Sequence, residues 1–204
     1  MSRTIPRYSD HERMVHWSVA ILFLLAALSG LAFFHPSLFW FSALFGGGSW
    51  DRILHPFLGV LMALVFSYTV VHFWRANRMD AEDRKWLEQW RDVVSNREER
   101  LPPVGRFNAG QKLVFWITVV CVITLLVTGL IFWRPWFADW YPVALVRLAT
   151  LLHSFAAFVL IVTIIVHIYS AIWVKGSFRA MLRGDVSERW ARKHHAAWYR
   201  EMTR

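Results

Sequence analysis

Four apolar stretches, each long enough to cross a lipid bilayer, constrain this 204-residue sequence more than any other feature. They run over about 15–34, 54–74, 113–133 and 148–174. A hydrocarbon core about 30 Å thick needs about 20 helical residues, and only helices or closed barrels satisfy the backbone inside it. Long unbroken apolar runs exclude a barrel. The sequence therefore predicts an all-α integral membrane protein, a four-helix transmembrane bundle that forms one domain over 1–204.

The composition supports a membrane protein and excludes several kinds of cofactor site and cross-link. Hydrophobic residues make up 56% of the chain and charged residues 18%, whereas soluble domains are about 45–50% apolar and 25% charged. The single cysteine, Cys121, excludes an internal disulfide, a cysteine-held iron–sulfur cluster and the attachment motif of c-type haem. The net charge of +9 would indicate nucleic acid in a soluble protein. In a membrane protein the location of that charge matters more, and we expect no nucleic-acid partner.

The basic residues predict the orientation. The N-terminal tail, the connection 75–112 and the tail 175–204 together hold 20 of the 23 Lys and Arg residues. The two remaining connections hold only Arg52, Arg134 and Arg147. The positive-inside rule then places both termini and the connection 75–112 in the cytoplasm.

Five histidines fall inside the predicted spans, where an ionisable group is costly and indicates function. We expect His72, at the inner end of the second span, to be interfacial, like His35 at the outer end of the first. This leaves four histidines: His16, His55, His153 and His167. His167 follows His153 by 14 residues, which is about 21 Å along the helix and about 40° around it. His16 opens the first span at the cytoplasmic level, the depth expected for His167. His55 opens the second span at the outer level, the depth expected for His153.

Two facing histidines at each of two depths are what two stacked b-type haems require, because each iron takes an imidazole nitrogen on both axial sides. The alternatives are a proton relay or isolated hydrogen bonds between helices. A relay favours carboxylates as well, and we find no Asp or Glu in the interior of a predicted span. Iron held by two histidines has no open position, so the expected role is electron transfer.

Small residues accompany the histidines. Gly30 lies 14 residues after His16, on nearly the same helix face, and Gly59 lies one turn after His55. Each glycine serves either as the gap that a flat macrocycle needs or as an ordinary helix–helix contact. The residues alone leave both roles open.

A polar turn, GRFNAGQK, precedes the third span at the cytoplasmic level. The side chains of Asn108 and Gln111 and the N–H of Gly110 offer hydrogen-bond donors to the carbonyls of a quinone. A simpler role is a helix N-cap at Asn108. The two roles are compatible.

Extended motifs resemble a known family, the gamma or cytochrome b subunit of membrane-bound respiratory formate dehydrogenases. The resemblance covers nearly the whole chain and is weakest over about 79–101. The motifs are HERMVHWS, RILHPFLG, GRFNAGQK, VTGLIFWRPWFA, LLHSFAAF and the segment VHIYSAIWVKGSFRAMLRGDVSERWARKHHAAWYRE.

This resemblance implies a diheme cytochrome b with His16 and His167 on the cytoplasmic-side haem and His55 and His153 on the outer one. It implies a menaquinone site near Asn108, Gly110 and the ligand His167; the sequence itself does not distinguish menaquinone from ubiquinone.

The expected partners are an iron–sulfur beta subunit on the outer side, a catalytic alpha subunit with molybdenum or tungsten, and membrane lipid. The resemblance further implies a bacterial inner membrane, a role in anaerobic respiration and a trimer of three-subunit protomers. Formate oxidation lies on the alpha subunit, so this chain has no formate-oxidising catalytic residue and serves as the quinone-reducing subunit.

Three other functions remain open from the residues. One is the cytochrome b subunit of another complex, of the hydrogenase or thiosulfate reductase type. Another is a stand-alone diheme quinone oxidoreductase. The third is a structural anchor or small transporter, which would be colourless.

Overall fold

A computed structural model describes residues 3–95 and 97–203 of the chain. Within this part the chain is mainly helical, with one small sheet and short 3₁₀ helices such as Pro36–Phe45. The α-helices are α1 (Asp10–Phe34), α2 (Gly48–Phe73), α3 (Ala81–Glu88), α4 (Trp90–Val94), α5 (Ala109–Phe132), α6 (Val143–Trp173), α7 (Ser177–Arg183), α8 (Glu188–His194) and α9 (Ala196–Met202).

The four long helices α1, α2, α5 and α6 confirm the four predicted spans, and each is long and apolar enough to cross a membrane. All four begin before the predicted spans. At α1 the cause is a polar start, because Ser9 and Glu12 bond reciprocally there in the pattern of a capping box. Helix α2 begins at Gly48 rather than near residue 54, so Asp51 lies inside a helix and not in a loop.

The chain divides into two compact units, and the division cuts each long helix. The first unit draws on Met1–Arg13, His72–Trp116 and Ile165–Arg204. The second draws on Met14–Val71 and Ile117–Ile164.

The second unit has a core of mainly small side chains. Its buried residues include Ser29, Ala32, Ala63, Cys121, Ala149 and Ala156. Small residues let membrane helices approach closely. Large apolar side chains such as Leu64, Val120 and Phe155 are more than 60% exposed, and in a membrane such a surface contacts lipid.

The first unit contains a packed C-terminal tail. Strand β1 (Thr4–Pro6) pairs antiparallel with β2 (Asp185–Ser187), and helices α7 to α9 complete a small core. Its buried members are Ala180, Val186, Trp190, Ala191 and Trp198. The two tail tryptophans therefore stabilise this core by packing and are not exposed for lipid contact.

Two buried basic side chains hold the tail to the turn before α5. Arg7 is 5% exposed, lies 4.3 Å from the centre of the Trp198 ring and donates to the carbonyl of Arg106. His195 is 2% exposed, and its Nδ1 donates to the carbonyl of Gly105 over 2.7 Å. Burial, together with the charge of Arg7, lowers the pKa of His195 to about 3, although the bond to Gly105 opposes the shift.

We expect the packed tail to loosen when the pH falls from 7 towards 5. The folded protein holds His195 neutral while the unfolded chain binds a proton below its ordinary pKa of about 6.5. Stability is therefore full above pH 6.5 and is lost as the pH falls towards 3, by roughly 2 kcal/mol at pH 5. Hydrogen exchange of the tail amides at pH 7 and pH 5, corrected for intrinsic rates, measures the loss. His195→Gln should flatten this dependence, and an equal dependence in that variant would contradict the assignment to His195.

Candidate functional site

Two of the predicted ligands, His55 and His153, face each other in the second unit. His55 lies on α2 and His153 on α6, and the centroids of their rings are 6.2 Å apart with planes inclined by 68°. Phe132 on α5 packs edge-on against the ring of His153 at 5.0 Å. The structure thus brings together the pair that helix depth predicted for the outer level.

A hydroxyl group orients each of these imidazoles. Ser29 donates its Oγ hydrogen to the carbonyl of Ala26 over 3.0 Å, so it accepts from Nδ1 of His55 at 2.9 Å. Thr128 Oγ1 likewise donates to a carbonyl of its own helix and accepts from Nδ1 of His153 at 3.0 Å. With Nδ1 protonated, Nε2 keeps the lone pair that binds a metal. Such hydrogen bonds fix the tautomer and rotation of metal-binding histidines.

The separation of the two rings fits a single metal ion between them. A metal–imidazole nitrogen bond is about 2 Å long, which places the centroids of two rings that share one ion about 6 Å apart. The observed 6.2 Å agrees. The donor set, two imidazoles in an apolar site, would hold a b-type haem.

Two glycines make room beside these rings. A Cβ atom on Gly30 would lie 3.0 Å from Cε1 of His55, and one on Gly129 would lie 3.4 Å from Cε1 of His153. Gly30 thus makes room for the imidazole of His55. Its predicted role as a gap for a macrocycle stays a prediction. A Cβ on Gly59 would meet nothing within 4 Å, so no such contact applies to Gly59.

Sequence patterns alone did not identify Ser29, Thr128 and Gly129 as parts of this site. A sequence signal for them does exist, because each of the two histidines contacts a hydroxyl residue that is followed directly by a glycine. Ser29-Gly30 lies on α1 and Thr128-Gly129 on α5, at the level expected for the outer pair of histidines. The hydroxyl binds Nδ1, and the adjacent glycine lets the ring approach the helix.

The other predicted pair is split between the units. His16 lies on α1 in the second unit and His167 on α6 in the first, and both are half-buried. Their joint ligation stays a prediction. His35 and His72, expected to be interfacial, have other partners: His35 accepts from the backbone N of Ser37, and His72 bonds to Glu12 over 2.9 Å.

The turn before α5 has the predicted capping geometry. The backbone N of Asn108 donates to Oε1 of Gln111 over 2.9 Å, and the backbone N of Gln111 donates to Oδ1 of Asn108 over 2.8 Å. The carbonyl oxygens of both amides are therefore engaged, while their NH₂ groups are the donors suited to a ligand. A Cβ on Gly110 would lie 3.3 Å from the Trp86 ring.

A small cavity of about 70 Å³ borders this turn within the first unit. Its lining includes Asn108 and the charged residues Asp80, Asp83 and Lys112. Lys112 is 7% exposed, and its Nζ donates to Asp83 over 2.6 Å and to the carbonyl of Arg78 over 3.1 Å. This buried ion pair fastens α3 to the start of α5.

Four membrane-spanning helices and an oriented pair of imidazoles in an apolar interior define a membrane cytochrome b. The model of the prokaryotic cytochrome b561 family matches residues 7–184. The chain belongs to this family, whose members are integral membrane proteins that bind haem b.

Curated relatives match nearly the full length. The chain is 44% identical over 201 residues to the cytochrome b556(Fdn) subunit of the nitrate-inducible formate dehydrogenase of Escherichia coli K12, covering 98% of this chain and 93% of that protein. It is 46% identical over 199 residues to the cytochrome b556(fdo) subunit of formate dehydrogenase from the same strain, with the same coverage. A formate dehydrogenase cytochrome b556 subunit of Haemophilus influenzae is 40% identical, covering 97% of this chain and 83% of that protein.

Proposed function

We propose that this chain is the cytochrome b subunit of a membrane-bound formate dehydrogenase and reduces quinone with electrons received from its partners. The observation that carries the proposal is the facing pair His55 and His153. Their ring centroids are 6.2 Å apart, and the Nδ1 atom of each ring is bonded to a hydroxyl group. The names and full-length similarity of the relatives support the choice of complex. They favour formate dehydrogenase over the hydrogenase and thiosulfate reductase types.

The chain would hold two b-type haems within one transmembrane domain. His55 and His153 ligate the outer one, and His16 and His167 ligate the cytoplasmic-side one. Bound at these two depths, the haems supply one-electron carriers across the membrane. The contribution of the protein is to keep each ligand neutral, to fix its tautomer and to exclude water from the iron.

Quinone would bind beside the turn before α5. The NH₂ groups of Asn108 and Gln111, the backbone at Gly110 and the proposed ligand His167 are the groups we assign to its carbonyls. The cavity next to Asn108 supports this assignment because it places space and charged side chains beside the turn. The ring of Trp86, close to Gly110, offers an apolar wall to a quinone ring.

The reaction would consume protons from the cytoplasm. The distribution of basic residues predicts both termini on that side, in the bacterial inner membrane, with the iron–sulfur beta subunit and the molybdenum or tungsten alpha subunit docked outside. Electrons then move inward while protons are taken up inside, so quinone reduction builds a proton-motive force. In sealed vesicles that contain the oriented complex, formate-driven quinone reduction should move negative charge inward, and an electroneutral reaction would contradict this orientation.

The first experiment is a haem count on the purified full-length chain. A dithionite-reduced minus oxidised spectrum, with haem extracted and quantified, should show two b-type haems per chain. Addition of a menaquinone analogue should then reoxidise them. A folded but colourless protein would overturn the proposal in favour of an anchor or transporter, and haem that no quinone reoxidises would remove the quinone-reducing role.

A further inference from the structure

One buried acid in the second unit has no role in the function proposed above. Asp51, in the first turn of α2, is 0% exposed, and neither of its carboxylate oxygens has a hydrogen-bond partner among the described residues. A buried carboxylate without a partner is expensive, and such a group in a folded protein needs a physical reason. The start of a helix lowers part of this cost, because its partial positive charge favours an anion.

The position of Asp51 relates it to the outer ligand pair. It precedes His55 by four residues on the same helix, which places the two side chains on one face about 6 Å apart along the axis. His55 in turn faces His153. The acid is thus one helical turn from His55, one of the two imidazoles proposed to hold the outer haem.

No other charge compensates this acid within the part of the chain that the structure describes. The charged side chains of the connections predicted at the outer level are exposed, and none forms an ion pair with Asp51: Arg52, Arg134, Asp139 and Arg147. His35 is exposed and bonded to Ser37. The Nδ1 atoms of His55 and His153 are bonded to Ser29 and Thr128.

We propose that Asp51 is a redox-linked protonation site for the outer haem. The inference rests on the proposed function, because it needs a haem at His55 and His153. Asp51 takes up one proton from water when the neighbouring iron gains one electron, so the net charge of the buried site does not change. The physical reason is that the centre becomes one unit more negative on reduction, which raises the electrostatic cost of a nearby carboxylate in a medium of low dielectric constant. When the electron leaves, the carboxylate releases its proton.

The test is a redox titration of the full-length chain at a series of pH values between 5 and 9. The midpoint potential of the outer haem should fall with rising pH, with a slope approaching about 59 mV per pH unit, the value of a tenfold change for a one-electron couple. Asp51→Asn should remove this slope. Asp139→Asn is the matched control, since it neutralises an exposed acid in the same unit and should leave the slope unchanged.

The outer haem is assigned as the signal lost in His55→Leu. A pH-independent potential in the unaltered protein, or an equal slope in Asp51→Asn, would overturn the inference. If Asp51→Asn fails to bind haem, Asp51→Glu decides, because a carboxylate at this position should retain the slope and a flat response would contradict the proposal. Failure of the proposed function is distinguishable, because it shows as a haem count below two before any titration.

Discussion

Full-length protein carrying His55→Leu is expected to hold one haem b per chain instead of two. Leucine fills a similar volume but has no nitrogen, so iron at the outer position keeps only His153 as a protein ligand. The remaining haem should keep its spectrum, because its proposed ligands, His16 and His167, lie elsewhere on α1 and α6. Extracted haem per chain and low-temperature difference spectra measure both effects, and His153→Leu should give the same result.

The matched control is His35→Leu. His35 is an exposed histidine that contacts Ser37 at the end of α1, so its loss should leave two haems. Gly30→Val tests the same site without replacing a proposed ligand. Even a Cβ at this position would lie 3.0 Å from the ring of His55, so the valine side chain should displace that ring. Two haems in His55→Leu, or loss of haem in His35→Leu, would contradict the assignment of the ligands.

A second large effect is expected from Lys112→Met, which breaks the buried ion pair with Asp83. Each side chain of this pair is 8% exposed, so the variant would leave an uncompensated carboxylate in the protein. Breaking a buried pair in this way typically costs about 3–5 kcal/mol. We expect α3 to detach from α5, and hydrogen exchange of the α3 amides measures the free energy of that local opening.

The control for this variant is Lys85→Met. Lys85 also pairs with an acid, Glu82, at 2.7 Å, but both side chains are more than 50% exposed, so solvent already screens the pair. Adding Asp83→Asn to Lys112→Met should recover much of the stability, because the amide still accepts the bond from the backbone N of Asp80 but carries no charge. Equal protection in Lys112→Met and Lys85→Met would show that the buried pair contributes little.

The four spans and the pairing of His55 with His153 were accessible from sequence because both follow from one-dimensional rules. Bilayer thickness sets the length of a span, and helix geometry sets the depth of a residue within it. Opposite directions of successive spans then place His55 level with His153. The residues 79–101 gave no signal of comparable strength. The position of α3 relative to α5 involves the pairing of Asp83 with Lys112, 29 residues away along the chain.

The residues at which the helices begin were predicted less well than the presence of the helices themselves. The sequence spans were bounded by apolar character, whereas helices such as α1 and α5 begin at polar residues that satisfy the first N–H groups. The difference matters at α2, because the apolar stretch excluded Asp51 and the helix includes it. The absence of acids from the predicted span interiors therefore did not reveal a buried carboxylate one turn from a ligand.

The sequence by itself determined four helices that are long and apolar enough to cross a membrane. It also predicts their orientation and the level of each histidine, because basic residues and helical rise are properties of a chain read in order. Only the tertiary structure decided which groups orient the ligands. Ser29 and Thr128 reach Nδ1 of His55 and His153 from α1 and α5, and Asp51 loses water without gaining a partner among the described residues. These facts depend on side chains from separate helices meeting in an interior that excludes water, and no spacing along one helix specifies that meeting.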